Sequence, residues 1–301
     1  MYYRSLNNEL REKFGEKLYK LALDGGFTCP NRDGTIGTRG CSFCLGGSGS
    51  FAEGKCPSVA EQIERARRRV EKKNPSGKYI AYFQSYTNTY APPERLAALF
   101  GEAIAHPDIA ALSVGTRPDC LPPEVIGVLS ELNKVKPVWV ELGLQTMHEK
   151  TAERIRRGYP LSVFDEAVKV CKAAGLYTVV HMIIGLPEET PEMAAQTAVY
   201  IGKSGADGIK LQLLHILRGT DLAEEYAAGA FDVMSMDEYI AALEECIRRL
   251  PPQMTVHRLT GDGDKRYLVA PLWSADKKRV LNAVNAAFRR DNVVQGEHYE
   301  V

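Results

Sequence analysis

From Leu18 onward this chain alternates strand-like and helix-like segments, and that alternation limits its fold more than any other feature. Apolar or β-branched runs at Leu18–Leu23, Tyr79–Phe83, Ile109–Val114, Val138–Leu144, Tyr177–Ile184 and Gly208–Leu214 read as strands. Between them lie helical patterns at Ser58–Lys73, Pro92–Ala105, Pro122–Asn133, a short one at His148–Arg157, Val163–Ala174 and Pro191–Ser204. Ser58 with Glu61 three residues on is an N-terminal capping pattern, Leu96, Leu99, Phe100 and Ala103 repeat at helical spacing, and Gly175 ends its helix. Repeated strand-then-helix units imply a parallel sheet with helices outside it. Six such units suit a closed or partly closed barrel. The expected fold is α/β: a partial (β/α)6 TIM-type barrel over residues 1–216. Residues 217–301 are expected to form a helical C-terminal extension packed on that barrel. Its helices are placed at Asp221–Ala228, Asp237–Leu250 and Asp276–Arg290, with a late strand at Met254–Arg258.

The 301 residues are 45% hydrophobic and 25% charged, enough for a large core that needs no covalent staple. The start, Tyr2-Tyr3-Arg4-Ser5, does not read as a leader, and no apolar run is long enough to span a membrane. Seven cysteines in such a chain point away from disulfides and to a cytoplasmic location. Formal charge is zero overall but uneven: residues 1–80 carry 15 Lys+Arg against 9 Asp+Glu, residues 81–255 carry 15 against 23, and residues 256–301 carry 8 against 6. Arg65, Arg67, Arg68, Arg69, Lys72 and Lys73 share one helix. A solvated helix face accounts for them, and a patch for phosphate backbones is the alternative.

Cys29, Cys41 and Cys44 fall in one Gly-rich loop after the first strand. Three thiolates make a ligand set for a soft metal centre. A structural zinc site wants four ligands, and a 4Fe–4S cluster normally takes four cysteines, so three would leave an open iron position. Cys56 lies 12 residues beyond Cys44, and no histidine precedes His106. A redox Cys-x-x-Cys pair would leave Cys29 unexplained. An open iron–sulfur site is the reading favoured over both. Cys171 and Cys246 sit in helical segments as packing residues, and Cys120 lies at a strand end.

In a parallel barrel the reactive groups gather at the C-terminal ends of the strands. Here those ends deliver Cys29; the polar and aromatic run Gln84–Tyr90; Gly115-Thr116-Arg117-Pro118-Asp119-Cys120; Glu141 and Gln145; His181 followed by Gly185-Leu186-Pro187; and Lys210, Gln212 and His215. Any one could be a satisfied buried polar group, but together they mark a site.

A cysteine triplet after the first strand, with Phe43 just before the last cysteine, resembles the radical S-adenosylmethionine (SAM) enzymes. The first gap of 11 residues departs from their commonest Cys-x3-Cys-x2-Cys spacing and is similar to the YtqA/YhcC-like branch related to the Elongator catalytic subunit. Further matches to that branch are Cys29-Pro-Asn-Arg-Asp-Gly, Tyr82 to Tyr90, Thr116-Arg117-Pro118-Asp119, Glu141 to Gln145 and Ala270-Pro271-Leu272-Trp273-Ser274. The resemblance implies that Cys29, Cys41 and Cys44 hold a 4Fe–4S cluster whose open iron chelates SAM, and that one electron cleaves SAM to methionine and a 5′-deoxyadenosyl radical. The electron comes from a donor such as flavodoxin or ferredoxin. The protein's part is to position the cofactor and exclude competing reactions.

The resemblance assigns further roles by position. Gln84, Ser85 and Tyr86 stand where many relatives have Gly-Gly-Glu against the amine of SAM, and the glutamate is absent. Glu141 and Gln145 occupy the region that contacts the ribose or carboxylate, and Arg156 or Arg157 could pair with the carboxylate. Ile183 to Pro187, with Gly185, borders the adenine. His181, Lys210 and His215 face substrate, and Cys120 is a candidate hydrogen donor. The implied substrate is the wobble-uridine side chain of transfer RNA. The alternatives are a radical reaction on a small metabolite and a non-catalytic metal-containing protein that binds RNA.

Overall fold

The computed structural model describes residues 2–46, 52, 58–74, 77–261 and 263–300. A short helix, α1 (Leu6–Phe14), precedes the alternating part of the chain. The strands are then β1 (Tyr19–Leu23), β2 (Tyr79–Phe83), β3 (Ile109–Thr116), β4 (Val138–Gln145), β5 (Tyr177–Ile184) and β6 (Gly208–Leu213). The helices between them are α2 (Val59–Val70), α3 (Pro93–Ala105), α4 (Pro123–Asn133), α5 (Glu149–Arg154), α6 (Leu161–Ala173) and α7 (Pro191–Lys203). Beyond lie β7 (Ile216–Leu217), α8 (Asp221–Ala227), α9 (Met236–Arg249), β8 (Thr255–Arg258), β9 (Leu268–Ala270) and α10 (Lys277–Arg290).

Local chemistry explains the helix starts. Ser58 caps α2 by accepting a hydrogen bond from the Glu61 N–H, and Thr190 does the same for α7 with Met193. Proline opens α3, α4 and α7, where its missing donor costs nothing. Gly175 ends the α6 segment at φ +70°.

Among the described residues, seven strands form one parallel sheet in the order β1-β2-β3-β4-β5-β6-β8. This is the expected α/β half-barrel, with one addition. The late strand β8 pairs in parallel with β6, Gly208 opposite Thr255 and Ile209 opposite Val256, so the extension contributes a seventh strand. β1 and β8 are the sheet's outer strands, and the N-terminal segment lies along β8: the Val256 N–H donates to the Arg4 carbonyl at 2.8 Å. That contact covers an edge that would otherwise offer unpaired backbone groups.

The strands obey a period of two. Leu21, Leu23, Ala81, Phe83, Leu112, Val114, Val140, Leu142, Val180, Met182, Ile209 and Leu211 turn outward into the main core under the helices. The concave face is layered. At the N-terminal end Leu18, Ile80, Ala111 and Trp139 pack with Leu10 of α1, which plugs the barrel floor. Above that plug the interior becomes polar.

Candidate active site

The polar layer draws one side chain from each of six neighbouring strands: Lys20, Tyr82, Ser113, Glu141, His181 and Lys210. Glu141 is its centre, with a side chain entirely shielded from solvent. Its Oε1 accepts from Lys20 Nζ at 2.5 Å and Ser113 Oγ at 2.6 Å. Its Oε2 accepts from His181 Nε2 at 2.7 Å and from Lys210 Nζ. Lys210 also donates to Tyr82 Oη at 3.0 Å, and the ammonium groups of Lys20 and Lys210 lie 4.5 and 4.6 Å from the Tyr82 ring centre. Burial alone would push the Glu141 carboxyl up, but Lys20 and Lys210 overcome it and hold it well below the usual carboxylate range. Burial, joined by Lys210, pushes His181 down to about 4 against the pull of Glu141, so its imidazole is neutral near pH 7 and carries its proton on Nε2 toward the carboxylate.

Above this layer, at the C-terminal ends of the strands, the cysteine loop folds over the mouth of the barrel. It is pinned at many points. Asn31 Nδ2 donates to the carbonyls of Arg156 and Arg157 at 2.8 and 3.3 Å, and Ser42 N–H donates to Ile155 at 3.0 Å. Arg39 and Arg156 both reach Asp221 at the start of α8. Arg32 tucks beneath the loop and donates to the Cys44 carbonyl. Gly40 is at φ +76°, which favours glycine, and a side chain there would displace the Arg32 guanidinium, 2.7 Å away.

Cys29, Cys41 and Cys44 line one cavity of about 220 Å³ together with Gln84, Tyr86, Thr87, Glu141, Gln145, Arg157 and His181. The thiols are free, and burial, followed by the neighbouring Cys44, pushes Cys41 up to about 11. Arg32 and Arg117 line the same cavity; Arg117 is already paired with Asp119 at 2.9 and 2.7 Å, and Arg32 places positive charge near the thiols, as anionic sulfur ligands favour. Among the described residues no three His, Cys, Asp or Glu side chains close on a point as a single-ion site requires. Cys56 lies outside the described residues.

A larger chamber of about 370 Å³ adjoins this cavity and shares Phe43, Cys44, Tyr82, Gln84, Gln145 and His181 with it. Its own walls add Lys210, Gln212, His215, Arg258 and apolar residues of β5 and β6. Two residues of the cysteine cavity carry backbone strain: Tyr86 at φ +60° and Gln145 at φ +70°. The buried Oε1 of Gln145 has no protein hydrogen-bond partner.

The sequence-derived candidates divide. Gln84, Tyr86, Glu141, Gln145 and His181 meet in the paired cavities, and His215 reaches the larger one. Ser85 is buried and lines neither. Gly185 adopts φ +85° against Met234. Arg157 lines the cysteine cavity, but its guanidinium is spent on the carbonyls of Thr146 and Tyr159 and on Glu149, all within 3.0 Å. Arg156 is committed to Asp221 and to the Gly40 carbonyl. Cys120 lies on a short 3₁₀ turn, Pro118–Cys120, that carries it into an adjoining groove rather than the cysteine cavity, and burial pushes its thiol up to about 12. Cys171 and Cys246 are fully buried in α6 and α9.

The sequence profile of the Radical SAM superfamily matches residues 33–201. The chain belongs to the radical SAM superfamily. A second profile, the radical SAM C-terminal domain, matches residues 206–290 and so takes in β6, β8 and the helices after them. Among curated proteins this radical SAM chain is similar to the uncharacterized protein YtqA of Bacillus subtilis, 42% identical over 99% of this chain and 93% of that one. It is also 38% identical to protein YhcC of Escherichia coli K12, over 89% of this chain and 86% of that one. Among solved structures the archaeal Elp3 of Methanocaldococcus infernus superposes with a TM-score of 0.71 at 17% identity, over 92% of this chain. This radical SAM chain spans 64% of that longer one, and the likeness shows the fold.

Residues of this site that went unassigned in the sequence include Lys20, hidden in an apolar run, Arg32, inside the cysteine loop, Ser113 of β3 and Arg258 of β8. An ammonium group between Tyr19 and Leu21 in a strand with a buried partner face was the available signal for Lys20.

Proposed function

We propose that this radical SAM enzyme holds a 4Fe–4S cluster on Cys29, Cys41 and Cys44 and acts on the wobble-uridine side chain of transfer RNA. One observation carries the first half: three free thiols, flanked by guanidinium groups, face a cavity that also holds an unpartnered buried amide oxygen. The donor set fits a soft, multiply charged cluster that leaves one position for a second ligand. When bound, cluster and SAM together supply a carbon-centred radical able to take hydrogen from a substrate.

The chain's own residues do the rest. The clamped loop fixes the relative places of the cysteines before any ligand arrives. Gln84, Tyr86 and Gln145 offer polar contacts to the amine, carboxylate or ribose of SAM. Ile183 and its neighbours offer an apolar wall. The fixed charges around Glu141 close the bottom of the barrel to bulk water.

The substrate half of the proposal rests on likeness to Elp3 and to the branch noted in the sequence. The basic face of α2 adds little to it, because Arg65 pairs with Glu61 and Arg67 with Glu64 and Asp108. Among the described residues no helix is long and apolar enough to cross a membrane. The reaction also needs a one-electron donor of flavodoxin or ferredoxin type.

Anaerobically reconstituted protein with dithionite and SAM should form 5′-deoxyadenosine, and Cys29→Ala, Cys41→Ala and Cys44→Ala should each lose iron, sulfide and that product. Equal product from wild type and all three variants would sink the cluster assignment. Modified nucleosides from deletion and parental cells, compared by mass spectrometry, test the substrate. Unchanged wobble uridines would remove transfer RNA and leave a small metabolite.

A further inference from the structure

Asn31 stands directly behind one of the three cysteines. It is 4% exposed and does not line the cysteine cavity, which Cys41 does. Its Nδ2 lies 3.5 Å from Cys41 Sγ, within hydrogen-bond reach of the larger sulfur atom. The same nitrogen faces the carbonyls of Arg156 and Arg157 at 2.8 and 3.3 Å. A side-chain amide has two hydrogens to divide among these acceptors. The short bond to Arg156 takes one. The Arg157 carbonyl and the sulfur share the other. That carbonyl has a second, shorter donor in Arg117 Nη1 at 2.8 Å, so it does not depend on Asn31. A thiolate draws the shared hydrogen more strongly than a thiol, because a bond to an ionised acceptor is charge-assisted.

The amide is also fixed in place. The Gly40 N–H donates to the Asn31 carbonyl at 2.7 Å. Gly158 closes on the other end of the side chain, where a Cβ would stand 2.7 Å from Asn31 Oδ1. An N–H preset toward a metal-binding sulfur orients that ligand and tunes the metal, and hydrogen bonds to sulfur are among the factors that set the potential of an iron–sulfur cluster. We propose, on the reading that Cys29, Cys41 and Cys44 hold a 4Fe–4S cluster, that Asn31 is a positioning residue that raises the reduction potential of that cluster through its N–H···Sγ bond to Cys41. Reduction adds one electron, from the donor of flavodoxin or ferredoxin type, and moves no proton. The added negative charge falls partly on the sulfur ligands and strengthens the bond from Asn31. Asn31 thereby favours the reduced state and brings it within reach of the donor.

Redox titration of the anaerobically reconstituted full chain, without SAM and followed by electron paramagnetic resonance, tests this. Asn31→Leu removes the donor and should disfavour reduction about tenfold, a potential about 59 mV more negative for one electron. An asparagine that only tethered the loop to Arg156 would, on replacement, lower the iron and sulfide content and leave the potential of the loaded fraction where it was. Because Asn31→Leu also loses those carbonyl bonds, wild-type protein labelled with 15N on asparagine side-chain amides gives a second readout: a weak 15N coupling to the reduced cluster in pulsed resonance spectra. An unshifted or more positive potential in loaded Asn31→Leu, or absence of the 15N coupling in wild type, would each overturn the proposal. Wild-type protein that takes up no iron and sulfide would remove the cluster reading and the role of Asn31 with it. A loaded wild-type cluster whose potential Asn31→Leu leaves unmoved would remove the role of Asn31 alone.

Discussion

Glu141 shows how one carboxylate can organise a whole buried layer. Its carboxylate is the common partner of Lys20, Lys210, His181 and Ser113. Removing one member of a buried ion group leaves the others uncompensated at a cost of roughly 3–5 kcal/mol. Glu141→Gln should therefore lower unfolding free energy by about that much in urea titrations. A loss under about 1 kcal/mol would show that water reaches the lysines and that the layer is not sealed. At this scale the sequence was half legible. Glu141, His181 and Lys210 stood out as polar residues in strand segments, because ionisable groups on a buried strand need a reason. What they touched did not stand out, because the partner of Glu141 lies 121 residues away at Lys20. Cys120 looked like a site residue only because Thr116 ends a strand. The Pro118–Cys120 turn, which bends the chain away from the cysteine cavity, depends on packing that no local pattern reports.

Among the elements, α1 and β8 carry the lesson. Neither is part of the six repeated units, yet both shape the barrel. α1 has a complete local code: Ser5 and Asn8 form a capping box, and Gly15 at φ +75° ends it. Its one fully buried residue, Leu10, is 2% exposed and fills the barrel floor. Leu10→Ala should cost about 2–4 kcal/mol by opening a cavity there. It should also loosen the layer above, seen as faster amide exchange in β1 and β3. An unchanged melting curve would mean the floor closes without α1. β8 is harder to read. A late strand was expected at Met254–Arg258, but its place in the sheet was not, because parallel pairing with β6 joins Thr255 to Gly208 across a stretch of helices. The six long strands were legible because each is bounded by turn residues and backed by an amphipathic helix.

The whole molecule responds to acid through its interior. Burial and Lys210 push His181 down to about 4, and burial with Lys20 pushes His257 well below its usual range between Trp139 and Tyr177. Both are neutral when folded and become charged when unfolded below about pH 6.5. The unfolded chain then binds more protons, so their stabilisation is complete above about pH 6.5 and fades as pH falls toward 4. Glu141, held below the usual carboxylate range, loses its share further down, below about pH 4.5. The melting temperature should drop steadily between pH 6.5 and 4, with His181 alone worth on the order of 2–3 kcal/mol. His257→Gln should flatten part of that slope. A melting temperature constant down to pH 4.5 would show that these imidazoles meet solvent in the folded state.

The first and last described segments of the chain meet. Tyr2 and Tyr3 set their rings edge-on to Phe288, each at 6.2 Å, and Gln295 bonds at once to Arg4, Pro251 and Met254. Arg4 thus finds its partner 291 residues further along the chain. Enlarging Tyr2 or Tyr3 would be felt first by α10, the helix that carries Phe288.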